Sequence, residues 1–147
     1  MKLYNKLTTL FVSVCCMNLV FADAPAWEYN SGAYEYTASM TAVIEGHTDD
    51  ADDILAAFDV DGNVRGISGT LGGVGPSSGL TLHSITLGSI EVEGDELSFK
   101  LYDASADAVV NIAESYTFLN NDTPGNAGEG YPLTVSFFCE LTLSCPA

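Results

Sequence analysis

Positive charge is the scarcest property of this chain. Its 147 residues hold four Lys or Arg against 20 Asp or Glu. Two of the four, Lys2 and Lys6, lie in the first turns of sequence, so only Arg65 and Lys100 serve the remainder. A surface this acidic repels nucleic acid and anionic lipid headgroups, which excludes both as partners. Enzyme signatures are also missing. His47 and His83 have no Cys or second His at zinc spacing. There is no G-x-S-x-G, no phosphate-binding loop and no nucleophile–base pairing. Paired carboxylates of the glycosidase kind stay open among so many acids, but acids on turns are ordinarily ionised and solvated. The expectation is a protein without catalysis.

Long apolar runs are lacking as well. The one candidate, "MKLYNKLTTLFVSVCCMNLVFA", is too short, and too polar at Thr8, Thr9, Ser13 and Asn18, to span a bilayer. Its two lysines, apolar centre and Val20-Phe21-Ala22 ending describe a signal peptide over residues 1–22, with cleavage after Ala22. A lipid anchor on Cys15 or Cys16 is the alternative, although Val14 is not the small residue such a site wants. Export places residues 23–147 in an oxidising, saline medium, as a single domain.

What is present is alternation. Tyr34, Tyr36, Ala38, Met40, Ala42 and Ile44 share one parity; Glu35, Thr37, Ser39 and Thr41 share the other. Ile54–Val60 and Val64–Ser68 flank Asp61-Gly62. Leu80–Leu87, Glu96–Tyr102, Val109–Leu119 and Pro132–Ser144 follow, the parity of the first shifting between His83 and Ile85 as at a bulge. About seven or eight strands parted by Gly, Asp, Asn and Pro clusters, without helical spacing, predict an all-β fold. The expected form is an antiparallel β-sandwich of immunoglobulin-like or jelly-roll-like kind, with a Cys-bearing C-terminal strand or tail.

Four stretches together carry a resemblance: "AYEYTASMTAVI", "DDILAAFDVDGNVRGISG", "GDELSFKLYDASADAV" and "IAESYTF". They resemble a small β-sandwich domain that recurs in large secreted and surface-attached proteins, mostly bacterial and marine. The matching positions are Asp53, Ala56, Ala57, Phe58, Arg65 and Gly66; then Gly94, Phe99, Lys100, Tyr102, Asp103, Ala104 and Ser105; then Glu114, Tyr116 and Phe118. The resemblance implies a sandwich fold and an adhesive, sugar-facing or structural module without established catalysis. This chain departs from it in standing alone and in its Cys-bearing tail.

Candidate sites follow from oxygen spacing. "DVDGN" offers Asp59, Asp61 and Asn63, but an EF-hand loop needs Gly at its sixth position and Glu at its twelfth; here these are Val64 and Thr70. Asp61-Gly62 reads instead as a two-residue hairpin turn with both residues at positive φ, and Asp59 as pointing to solvent. Asp49, Asp50, Asp52 and Asp53 crowd one loop, and a hard cation such as calcium would relieve their repulsion. Asp49, Asp50 and Asp52, with Asp59 and Asp61, are the candidate metal ligands; a plain solvated acidic loop is the competing reading. Asp53 and Arg65 are expected to pair across the base of the hairpin. Trp27 is the aromatic expected to stand exposed for stacking on a sugar, whereas Tyr34 and Tyr36 share the parity of the core. Cys139 and Cys145 are the thiols left after cleavage and are expected to form a disulfide. An extended strand would hold their α-carbons about 20 Å apart, so the chain folds back or each pairs with another molecule.

The reading is a secreted, acidic, non-catalytic β-sandwich. Its role is structural or adhesive, in a matrix, filament or cell-surface layer, with self-association or surface glycans as partners. The alternative is a calcium-dependent carbohydrate-binding module.

Overall fold

The computed structural model describes residues 24–136. The expected signal peptide, Cys139 and Cys145 lie outside the described residues. Seven strands occur in chain order: β1 Tyr36–Glu45, β2 Ile54–Phe58, β3 Val64–Gly72, β4 Thr81–Ser89, β5 Glu93–Asp103, β6 Ala108–Leu119 and β7 Tyr131–Thr134. Two short 3-10 turns, Ser31–Ala33 and Gly75–Ser77, complete the regular structure. Among the described residues no helix is long and apolar enough to cross a membrane.

The all-β expectation holds. The arrangement is one mixed sheet in the order β6-β5-β2-β3-β4-β1-β7, rolled nearly into a barrel. β3 does the rolling. Its first half pairs β2 (Ala57↔Gly66, Ala56↔Ile67) and its second half pairs β4 (Ser68↔Ile85 to Gly72↔Thr81). The bend requires close backbone approach, and Gly66 permits it. A Cβ there would lie 2.4 Å from the Thr86 carbonyl oxygen.

The antiparallel expectation is corrected at β1–β7, which pair in parallel from Ala42↔Tyr131 to Glu45↔Thr134. After β6 the chain turns back along β1. Asn121 N–H donates to the Thr37 carbonyl, Ser39 N–H to that of Asp122 and Thr41 N–H to that of Pro124. β7 is thus delivered beside β1 in the same direction. It also touches the far edge of the sheet. Ile112 bridges Val135, Ser136 N–H donates to the Asn111 carbonyl at 2.7 Å, and the Glu114 carboxylate accepts both the N–H (2.7 Å) and the hydroxyl (2.6 Å) of Thr134. Strand alternation reports which face is buried, but not which edge a strand joins or in which direction.

The core follows the parity. Ala38, Met40, Ala42 and Ile44 of β1 pack against Leu97, Phe99 and Leu101 of β5, Ile112, Tyr116 and Phe118 of β6, and Leu133 of β7. Each large aliphatic or aromatic side chain so buried contributes roughly 1.5–3 kcal/mol. Tyr34 and Tyr36, expected in the core, are half-buried at its rim. The bulge expected at His83–Ile85 is absent: β4 keeps continuous register with both neighbours. The parity shift arises because both faces of β4 are covered there, Leu82 on one and His83 on the other, each fully buried.

Arg65 is the second buried polar anchor. Its Nη2–H donates to Asp95 at 2.5 Å, its Nε stands 3.2 Å from Asp59, and its guanidinium lies 4.8 Å from the Tyr34 ring centroid. Ser89 donates to the same Asp95 oxygen at 2.6 Å. The expected Asp53–Arg65 pair does not form. Asp53 precedes β2 and Asp59 follows it, so the two carboxylates sit at opposite ends of that strand. Arg65, at the start of β3, meets the nearer one.

Arg65→Met should lower stability by about 3 kcal/mol, at the lower end for stripping one partner from a buried charge pair, because Asp95 keeps a quarter of its side chain in water. Denaturant unfolding measures this; a loss below about 0.5 kcal/mol, typical of a surface pair, would contradict it. Glu114 supplies a pH test. Burial pushes its carboxyl up, but the Thr134 hydroxyl and N–H outweigh burial and hold it below its ordinary value. A lowered folded pKa contributes stability above the unfolded value, about pH 4.3, which is lost as pH falls through the folded one. Glu114→Gln should therefore lower stability at pH 7 by about 1–2 kcal/mol. It should also narrow its gap to the parent protein on acidification below about pH 4. A gap independent of pH would refute the assignment.

A histidine and carboxylate cluster at the end of the barrel

β1 ends at Glu45, and Gly46, at φ +75°, turns the chain into a loop that runs to Asp53. The Asp53 carboxylate, 3% exposed, organises that loop. One oxygen accepts the Asp50 N–H at 2.9 Å and lies 3.3 Å from His47 Nε2. The other accepts the Ala104 N–H at 2.8 Å, reaching the β5–β6 turn. His47 Nε2 also lies 3.7 Å from Asp49 Oδ1 and 4.0 Å from Asp103 Oδ2. His47, Asp49 and Asp53 each offer a ligand atom, all within 4.8 Å of one another.

His83 approaches the same cluster from the sheet. It is fully buried, on the interior face of β4, paired in register with Ala42 and Thr70. Its Nε2 is 3.3 Å from Asp49 Oδ1, yet neither atom has a hydrogen-bond partner and both are shielded from water. Its Nδ1 lies 3.2 Å from the Ser68 hydroxyl, which also accepts the Leu55 N–H. Where Nδ1–H donates to Ser68, Nε2 is a bare lone pair facing a carboxylate oxygen. An unpaired buried polar atom costs roughly 1–3 kcal/mol, so two facing one another constitute a local strain on the fold.

Of the carboxylates singled out in the sequence, Asp49 and Asp53 converge with His47, whereas Asp50, Asp52, Asp59 and Asp61 do not. Asp49 turns inward to the histidines. Asp50 caps its own loop, accepting the Asp52 N–H at 2.8 Å, and Asp52 is exposed. Asp59 accepts the N–H groups of Asp61 (3.0 Å) and Asn63 (2.8 Å) and the Asn63 amide, so it faces its own turn and Arg65 rather than solvent. Burial pushes the Asp59 carboxyl up. Those amides and the Arg65 guanidinium together outweigh it and hold the group below its ordinary value. The turn is a five-residue loop, not the expected two-residue one: Gly62 N–H donates to the Asp59 carbonyl, and only Gly62, at φ +84°, has positive φ. Asp61 stands exposed at its tip. Trp27 is half-buried, packed edge-on against Phe58 at 5.4 Å, rather than free for a ligand. The disulfide expected between Cys139 and Cys145 lies outside the described residues.

His47 and His83 are 36 positions apart, beyond the reach of any local ligand spacing. One trace of His83 was visible: a polar residue breaking the parity of an otherwise alternating strand. Ser68, His83 and Asp49 fall in the order hydroxyl, imidazole, carboxylate. The imidazole is fully buried, however, and the hydroxyl is engaged by a backbone amide, so the row lacks an accessible nucleophile. A cavity of about 450 Å³ opens beside His47, lined also by Glu45, Asp103, Val110, Thr134 and Val135. No protein-family model, curated protein or solved structure matches this chain.

Asp53→Ala removes the acceptor of two backbone N–H groups and should lower stability by roughly 2–4 kcal/mol. Amide exchange should quicken selectively at Asp50 and Ala104, the donors it releases. Unchanged protection at both would show that Asp53 does not organise the loop.

Proposed function

We propose that this protein is a secreted, non-catalytic β-domain that serves as a structural or adhesive component outside the cell. The observation supporting this reading most is how the loops are held. Each main connection is fastened by its own side chains. Asp53 and Asp50 hold residues 46–53, Asp59 holds 59–63, and Ser77 donates to the Gly128 carbonyl at 3.1 Å. Asp103 accepts from Ser105 and Ala106, and Asn126 accepts from Gly128 and Glu129. These polar side chains are engaged in fastening the loops to one another and to the sheet. Ile90 and Val92 in the β4–β5 turn and Leu119 at the end of β6 stand 59%, 50% and 45% exposed and gather at one end of the molecule, while Val60, Val74, Leu80 and Val109 are exposed elsewhere.

The secreted protein should begin at Asp23 by N-terminal sequencing, and should self-associate or be retained on its own extracellular matrix. Light scattering over concentration and salt, with a matrix pull-down, measures this. Ile90→Ser with Val92→Ser should abolish the association without changing the melting temperature. A protein that is monomeric throughout and unretained would overturn the proposal.

A carbohydrate-binding module is the second reading. The cavity beside His47 favours it, since a lining that mixes Glu45, Asp103 and Thr134 with Val110 and Val135 suits a sugar ring. Glycan-array binding lost on Thr134→Val would support it. Calcium, the cation this reading first suggested, takes oxygen ligands, whereas the cluster beside the cavity presents two imidazole nitrogens.

A further inference from the structure

We infer that His47, Asp49, Asp53 and His83 form a binding site for a divalent transition-metal ion of the zinc class. Three independent features converge on it. The first is donor chemistry. Two imidazole nitrogens and two carboxylate oxygens suit a borderline ion such as zinc, while calcium prefers about six to eight oxygens.

The second is distance. Bonds of about 2.0–2.1 Å in a tetrahedron place neighbouring ligand atoms about 3.3–3.4 Å apart. His47 Nε2 to Asp53 Oδ2 is 3.3 Å, His83 Nε2 to Asp49 Oδ1 is 3.3 Å, and His47 Nε2 to Asp49 Oδ1 is 3.7 Å. His47, Asp49 and Asp53 thus already gather their ligand atoms within 4.8 Å of one another, while His83 stands outside that triad and joins it through Asp49 Oδ1, so the ion draws the His83 ring and the triad together.

The third is the pair of unpartnered atoms. His83 Nε2 and Asp49 Oδ1 are buried, face one another and lack hydrogen-bond partners. A cation between them satisfies both and relieves the repulsion of Asp49 from Asp53. Outer support is present as well: the Ser68 hydroxyl stands at His83 Nδ1, and the Ala104 N–H holds the free oxygen of Asp53, fixing ring and carboxylate orientation. Such an ion would tie the loop between β1 and β2 to the interior of β4, two segments 30 to 36 positions apart in sequence. The strong negative charge of the chain raises the local cation concentration.

The test uses the full secreted chain stripped with chelator, then titrated with zinc, cobalt(II) or calcium chloride. Zinc should bind at one equivalent per chain and raise the melting temperature; cobalt(II) should give the intense visible absorption of a tetrahedral site; calcium at the same concentration should do neither. Asp49→Asn preserves shape and removes the unpaired charge. It should weaken zinc binding by more than about tenfold while leaving the metal-free melting temperature equal or higher. His47→Gln should weaken zinc similarly. Cys139→Ser with Cys145→Ser should leave binding intact. Zinc binding that survives Asp49→Asn, that vanishes with the cysteines, or that is matched by calcium would overturn the inference. So would a metal-free Asp49→Asn protein that melts well below the parent, since Asp49 would then be a hydrogen-bonded partner of His83 and not a free ligand.

Discussion

The buried carboxylate of Asp53 is the constraint from which the rest of the molecule follows. A charge removed from water must be met by donors, or it destabilises the fold by several kcal/mol. Asp53 is met by the backbone of its own loop, by the backbone of the β5–β6 turn and by an imidazole. Those partners draw the loop after β1 down onto the end of β5, and so place His47 and Asp49 over His83. At the far end of β2 the same problem recurs with the sign completed differently. There Asp59 and Asp95 are met by Arg65, one of the two cations that follow residue 22. β2 is only five residues long, yet it carries a fixed charge centre at each end and runs through the middle of the sheet.

That arrangement explains how so acidic a chain rolls its sheet nearly into a barrel. Self-repulsion opposes the compact state. Here the inward-facing acids are each engaged locally: Asp53 and Asp59 by amides, Asp95 by Arg65 and Ser89, Glu114 by Thr134, Asp122 by the Tyr116 hydroxyl at 2.8 Å. Asp49 is the exception, a buried carboxylate oxygen facing an imidazole nitrogen with no hydrogen bond between them. That unpaired oxygen, among acids that are otherwise partnered, is the observation on which the proposed metal site rests.

The residues that carried the likeness to secreted sandwich modules turn out to have structural work. Asp53 pins a loop, Arg65 anchors the hairpin, and Gly66 lets β3 pass close to β4. Phe99 and Phe118 fill the core, Tyr102 donates to Asp107 at 2.9 Å, and Asp103 caps the β5–β6 turn. Glu114 closes β6 on β7. Local spacing could not reach the His47–His83 pair, because a sheet brings together residues whose separation depends on strand order rather than on count.

By itself the sequence determined the all-β class, the inward parity of β1, β5 and β6, the positions of most turns and the acidic exterior. Each follows from interactions between near neighbours: alternation across a pleat, positive φ at glycine, net charge. The tertiary structure alone decided the parallel β1–β7 pairing, the partner of Arg65 and the convergence of two histidines on Asp49. Those depend on which strand edge meets which and how far a rolled sheet bends, quantities set by packing of the whole core and carried by no short stretch of chain.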